Sequence, residues 1–109
     1  MASDKNVVYV RLSLALAKPG HEAEVDRLEN DLMAFFAKQP GYLHGYRITH
    51  DNAETGRIGR LTVWRDEQDA DSAAQTDHVL AVRSELQLLI EEEQHAERSW
   101  VARAVEPAR

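Results

Sequence analysis

The sequence has no cysteine, and only three prolines and five glycines occur among its 109 residues. Without cysteine the chain can form no disulfide framework, no thiolate nucleophile and no cysteine metal site. Basic residues are also few: 13 stand against 19 acidic ones, which gives a formal net charge of −6. Nucleic acids and anionic membranes both require clustered lysine and arginine, so we expect neither as a partner.

Long apolar runs are missing as well. No stretch of about 18 apolar residues is available to span a bilayer, and the first residues lack the basic start and apolar run of a signal peptide. We therefore expect a cytoplasmic protein. The chain length and a hydrophobic content of 43% fit one globular domain, which we place at residues 6–106, with residues 1–5 and 107–109 as flexible tails.

The periodicity of the sequence predicts the element order βαββαβ. Alternation with period two indicates strands, and an apolar stripe at helical spacing indicates a first helix at His21–Gln39. Before the last strand we predict a split helix: a short acidic segment, Asp66–Ala74, capped by Asp66, and a longer helix capped by Thr76 or Asp77. This order predicts a ferredoxin-like α+β fold, a four-stranded antiparallel sheet with helices on one face. The predicted strands are Val7–Ala17, Tyr42–His50, Ile58–Arg65 and His95–Val105.

The face of this sheet away from the helices is predicted to be apolar. This face carries either Leu12, Leu14, Leu16, Leu61 and Val63 or the residues that alternate with them along the same strands. An exposed apolar sheet of this size is a liability in water. Two copies that pack these faces together would bury it, so we predict a homodimer.

The stretch Arg57–Leu86 carries the candidate site. It places Trp64 at the end of a strand and His78 in the first turn of a helix, where small-molecule pockets form. A neutral imidazole beside the positive end of a helix dipole could accept a proton from a phenolic substrate; a capping or dimer-contact role is the alternative. Trp64 is either a wall on which a substrate stacks or an ordinary core residue.

Two arginines, Arg11 and Arg60, lie on strand faces with small or apolar neighbours. A buried arginine must be paired. Each therefore meets an acid such as Asp31 or Glu85, or waits for an anionic or phenolate ligand that a fixed cation would stabilise. Both are candidate substrate-binding residues, and Tyr46 on the second strand is a third.

The histidines show no metal-ligand pattern. His44 and His50 share a strand face with Tyr46, but no carboxylate is interleaved with them, so we predict no metal site. His21 and His95 are interpreted as surface residues at the ends of elements. The sequence also contains no Gly-rich phosphate loop.

Four short motifs follow one another along the chain: Lys18-Pro19-Gly20, Gln39-Pro40-Gly41-Tyr42, Thr62-Val63-Trp64-Arg65-Asp66-Glu67 and Thr76-Asp77-His78. In the order of these motifs the chain resembles the antibiotic biosynthesis monooxygenase superfamily. The resemblance covers roughly residues 7–105, an extent taken from the order of the elements. It implies a dimeric α+β barrel that oxygenates a small aromatic or quinol-type substrate, without any cofactor, in a pocket between sheet and helices.

The resemblance also implies roles for single residues. Trp64 matches the strand-end tryptophan and His78 the helix-start histidine, while Arg83 lies about where some members hold an arginine toward the substrate. The implied catalytic set is therefore His78 as base with Trp64 and Arg83. Two departures, Thr62 in place of a frequent carboxylate and Ala73 in place of a frequent histidine, favour the alternative of a non-catalytic ligand-binding or interaction domain of the same fold.

Overall fold

The computed structural model describes residues 6–51 and 55–105. It confirms the ferredoxin-like α+β order with a split second helix, and none of the helices in these ranges is long and apolar enough to cross a membrane. The predicted tails, and residues 52–54 between the second and third predicted strands, lie outside the described ranges. The elements are β1 (Val7–Ala15), α1 (Glu22–Phe36), β2 (Tyr42–Ile48), β3 (Ile58–Trp64), α2 (Glu67–Ala74), α3 (Asp77–Leu89), a turn of 3-10 helix (Glu92–Gln94) and β4 (Ala96–Arg103).

The four strands form one antiparallel sheet in the order β2-β3-β1-β4. Strand β1 is two residues shorter than predicted, because Ala15 pairs with Ile58, the first residue of β3, and nothing of β3 remains to pair with the residues that follow. Ala17 instead makes an isolated bridge with Ile90, after α3. Strand β2 likewise ends at Ile48 instead of His50.

Both predicted caps of the split helix are confirmed. The side chain of Asp66 accepts a hydrogen bond from the backbone N–H of Asp69 at 2.9 Å, and the hydroxyl of Thr76 accepts one from Val79 at 3.4 Å. Each cap satisfies one of the N–H groups that the first turn of a helix leaves without a partner. The chain therefore ends α2 at Ala74 and begins α3 after the cap at Thr76.

The two faces of the sheet differ in composition. Pairing of Leu12 with Leu61 and of Val10 with Val63 places these side chains together on the face away from the helices, which we call the open side. Of the two sets of residues that the sequence allowed for this face, the open side thus carries the one that contains Leu12. The helix side carries the residues of β1 and β3 that alternate with these, among them Tyr9, Arg11, Ser13, Ala15, Arg60, Thr62 and Trp64.

Strand β2 contains a bulge that the sequence did not indicate. Tyr42 pairs with Trp64 but His44 pairs with the next residue, Val63, so Leu43 is inserted as an extra residue. As a result Tyr42 packs edge-on against Trp64 on the helix side, with ring centroids 5.6 Å apart. Tyr46, opposite Leu61, is on the open side and 60% exposed. Tyr42 and Tyr46 therefore lie on opposite faces, whereas uninterrupted alternation along the strand would place them on the same face.

Strand pairing arranges the helix side in three rows that cross the sheet. Two of them are polar, and we call them the polar rows; the third is aromatic. The aromatic row lies at the end of the sheet where β3 finishes and the chain continues into α2. The polar rows lie next to it, toward the start of β3. The polar rows are Arg47–Arg60–Ser13–Glu97 and Thr62–Arg11–Ser99, and the aromatic row is Tyr42–Trp64–Tyr9.

Candidate functional site

Two small cavities lie between the polar rows and the helices. They have volumes of about 40 and 30 Å³, so each has room for only one or a few water molecules. Because four residues line both, we treat them as one site and call it the helix-side cavity; these residues are Ser13, Arg60, Arg83 and Glu97. Arg11, Thr62 and Trp64 line the larger compartment, and Glu29 and His95 line the smaller one.

A buried ion pair forms the floor of this site. Nη1 of Arg60 lies 2.5 Å from Oε1 of Glu29 on α1, and the two side chains are only 11% and 2% exposed. The guanidinium also lies over the Phe36 ring, 6.0 Å from its centroid. The expectation that a buried Arg60 is paired is met, but its partner is Glu29 and not the expected Asp31 or Glu85.

Arg11 connects the sheet to α2. Its Nη2 donates to Oδ1 of Asp71 at 2.8 Å and to the hydroxyl of Tyr9 at 3.0 Å. Burial acts to lower the pKa of Arg11, but the hydrogen bonds to Asp71 and Tyr9 outweigh it and raise the pKa above its usual value. Arg11 is therefore a permanent cation at the edge of the cavity.

A second polar cluster connects α3 with β4 and β1. Nη2 of Arg83 donates to Oε1 of Glu97 at 2.9 Å, and the same oxygen lies 3.2 Å from Nε2 of His95. That nitrogen is also 3.5 Å from the hydroxyl of Ser13. Because both contacts of His95 use one ring nitrogen, the cluster is not a Ser-His-Asp triad, which requires both nitrogens.

His95 is a residue of the cavity and not the surface residue that its position in the sequence indicated. Its side chain is 25% exposed. The missed signal is its parity: His95 lies two residues before Glu97, so both point to the helix side, where Glu97 pairs with Ser13. That signal has meaning only when the pairing of β4 with β1 is known.

Trp64 is both core and cavity wall. Its side chain is buried, and the Phe36 and Tyr42 rings pack edge-on against it at 5.7 and 5.6 Å. Its Nε1–H donates to the hydroxyl of Thr62 at 2.8 Å. A threonine at this position thus gives the buried indole the hydrogen-bond acceptor that it needs.

The structure places two of the six predicted site residues outside the cavity. His78 stacks on Phe35 with centroids 4.5 Å apart, its Nε2 lies 3.3 Å from Oδ1 of Asp31, and its side chain is 42% exposed. It therefore joins α3 to α1 on the outside and does not share a hollow with Trp64. Tyr46 lies on the open side. Trp64, Arg83, Arg60 and Arg11 are brought together.

Comparison with known families shows where the chain belongs. The family model described as antibiotic biosynthesis monooxygenase matches residues 8–85. The chain is a member of that family. Among curated proteins none is similar enough in sequence to count as a match.

Solved structures similar to this family member share its fold along almost the whole chain. SnoaB from Streptomyces nogalater, a cofactor-independent oxygenase, has a TM-score of 0.74 at 20% identity and covers 94% of this chain and 99% of its own. A conserved protein from Methanosarcina mazei Go1 has a TM-score of 0.75 at 17% identity, over 93% and 95%. A protein of unknown function from Nitrosomonas europaea has a TM-score of 0.76 at 12% identity, over 97% and 99%. The antibiotic biosynthesis monooxygenase fold is therefore shared by proteins of assigned and of unassigned function.

Proposed function

We propose that this protein is a cofactor-independent monooxygenase that oxidises a small aromatic or quinol-type substrate in the helix-side cavity. Membership of the family supports the reaction class. The observation that carries the proposal is the convergence of Trp64 and three arginines, from β1, β3 and α3, on one cavity between sheet and helices. Fixed cations beside an aromatic wall suit a substrate that becomes a phenolate or an enolate.

In this reaction the substrate supplies the electrons that reduce oxygen. Loss of a proton leaves an electron pair on the substrate as an enolate, which reacts with O2 to form a carbon–oxygen bond as a peroxide. Loss of water from the peroxide leaves a carbonyl group, so that an anthrone and O2 give an anthraquinone and water. Arg60, held in place by Glu29, is positioned to stabilise the negative oxygen of the enolate or of the peroxide.

Substrate binding requires the cavity to open, because its closed volume is too small for an aromatic ring. The ion pairs at its edge, Arg11 with Asp71 and Arg83 with Glu97, are partly exposed to solvent. Exposed pairs of this kind contribute about 0–1 kcal/mol. The buried pair of Arg60 with Glu29 costs far more to separate. We therefore expect the edge pairs to separate on binding while the floor of the cavity stays intact.

Oxygen uptake with a panel of anthrones and quinols tests this function. We expect consumption of O2 above the spontaneous rate and incorporation of one atom of ¹⁸O2 into the product. Arg83→Met should reduce kcat/KM at least about tenfold, because it removes a cation from the site of charge development. A catalytic role of His78 stays a prediction from sequence. Equal oxygen uptake by His78→Ala and by the native protein would contradict it. Uptake no faster than in buffer would refute the proposed activity.

A non-catalytic ligand-binding domain is the second candidate. It is favoured by the neutralisation of each cavity arginine by a carboxylate: Arg11 by Asp71, Arg60 by Glu29 and Arg83 by Glu97. This alternative predicts that quinols bind, detected by quenching of tryptophan fluorescence, without any uptake of oxygen. Turnover under anaerobic conditions would instead indicate an isomerase.

We also propose that the protein is a cytoplasmic homodimer that joins its open sides. The apolar open side and Trp100, which is 48% exposed and paired with Val10, support this. Static light scattering at micromolar concentration should give twice the mass of one chain. Leu12→Lys on the open side should lower that mass, whereas Leu88→Lys on the exposed surface of α3 should not. A native particle with the mass of one chain would refute the dimer.

A further inference from the structure

Of the five histidines in the sequence, His95 alone lines the helix-side cavity. His21, His44 and His50 are exposed, and His78 stacks on the outside of the helices. A general base must come within hydrogen-bond distance of the proton that it removes. Among side chains, imidazole takes up and releases protons closest to neutral pH. Position and chemistry therefore both select His95.

The contact with Glu97 determines which ring nitrogen of His95 can act as a base. Nε2 lies 3.2 Å from Oε1 of Glu97, and because a carboxylate oxygen only accepts hydrogen bonds, Nε2 carries the hydrogen of the neutral ring and Nδ1 is left as the acceptor. Arg83 holds the same carboxylate from α3. The other charges that face this part of the cavity are Arg60 and Glu29, which neutralise each other, so an imidazolium here forms beside ion pairs without an excess of positive charge.

His95 also provides a path for the proton to leave. Its side chain lines the cavity and is still one-quarter exposed, so it reaches both the bound substrate and bulk water. Glu29 is a competing base in this compartment. Its carboxylate is paired with Arg60 at 2.5 Å and its side chain is only 2% exposed, so it has almost no contact with the water to which a proton must pass.

We infer that His95 is the general base of the helix-side cavity and that Glu97 positions it. This inference rests on the proposed function. In the step, a C–H or O–H bond of the substrate breaks, its electron pair stays on the substrate as an enolate next to Arg60, and the proton forms an N–H bond at Nδ1 of His95 while Nε2–H donates to Glu97. The proton then passes to solvent, and O2 accepts the electrons of the substrate.

Hydrogen exchange of anthrone tests the base without any need for oxygen. The native protein is incubated with anthrone in D2O under anaerobic conditions, and deuterium at the methylene carbon is measured by mass spectrometry. We expect exchange faster than in buffer, a decrease of at least about 100-fold in His95→Ala, and partial recovery on addition of imidazole. His50→Gln, which changes an exposed histidine away from the cavity, should exchange like the native protein.

The outcomes separate this inference from the proposed function. Exchange that His95→Ala abolishes and imidazole restores supports His95 as base, whether or not oxygen is consumed. Exchange equal in His95→Ala and native protein, or none above buffer in the native protein, overturns the inference. The measurement of oxygen uptake tests the proposed monooxygenase activity separately from the hydrogen exchange. Where uptake occurs, Glu97→Gln should lower kcat more than it raises KM.

Discussion

Replacing Glu29 by alanine should be one of the most damaging single changes in this protein. It removes the carboxylate that neutralises Arg60, while the guanidinium stays in a site where its side chain is only 11% exposed. Breaking a buried ion pair by removal of one partner typically costs about 3–5 kcal/mol. For a domain of this size each kcal/mol lowers Tm by about 4–8 °C. The variant should therefore melt at least about 12 °C below the native protein.

A matched pair of variants separates the charge from the packing. Glu29→Leu combined with Arg60→Met removes both charges and keeps the volume, so its stability should lie within about 1 kcal/mol of native or above it. Glu24→Ala removes a partner of Arg27 on the exposed face of α1 and should cost no more than about 0.5 kcal/mol. Urea unfolding followed by circular dichroism, at one fixed protein concentration, measures all three. A cost for Glu29→Ala equal to that for Glu24→Ala, or a double variant as unstable as Glu29→Ala, would refute this reasoning.

Three further changes test single contacts. In Gly59→Ala the new Cβ would lie 1.8 Å from the backbone oxygen of Ser13, so β1 and β3 must move apart at a cost of about 1–3 kcal/mol or more; a native urea midpoint would contradict this close approach. Thr76→Ala removes the cap on the N–H of Val79 and should cost about 1 kcal/mol in urea unfolding; Thr76→Ser should cost much less, and an equal loss would exclude the hydroxyl as the cause. Burial raises the pKa of Tyr42 above 10.0, so the folded state keeps this proton to higher pH than the unfolded chain does. Its contribution to stability is complete below about pH 10 and is lost as the pH rises through the folded pKa. Urea midpoints should therefore fall less in Tyr42→Phe than in the native protein between about pH 9 and 11, and equal falls would contradict this.

The sequence was sufficient for the elements whose signals are local. Side-chain caps such as Asp66 and Thr76 act within three residues, so their positions were predicted correctly. The bulge at Leu43 was not, because the residues of β2 alternate without interruption and the extra residue is defined only by pairing with β3. The strand ends were misplaced for the same reason: β1 ends where β3 no longer provides a partner.

For the site, the sequence predicted that Arg60 is buried and paired but not that Glu29 is the acid that it meets. Glu29 had a readable signal, because it occupies a position on the apolar stripe of α1, four residues after Val25 and three before Leu32. An acid on a buried stripe requires a cation. His95 had a signal, its shared parity with Glu97, but this signal is readable only when the pairing of β4 with β1 is known. The position of His78, outside the cavity, depends on how α3 packs against α1, which no spacing in the sequence encodes.

The polar rows have a consequence for how the strands align lengthwise. Because side chains alternate with period two, sliding β3 by two residues along β1 would keep every apolar group on its own face, so burial of apolar surface does not oppose such a slip. A slip in one direction would place Arg60 opposite Arg11. A slip in either direction would also replace Gly59, the residue opposite Leu14, by Arg57 or Leu61, and the backbone of β1 leaves no room there for a Cβ. The charges and the single glycine thus select one alignment of the sheet among those that the hydrophobic pattern allows.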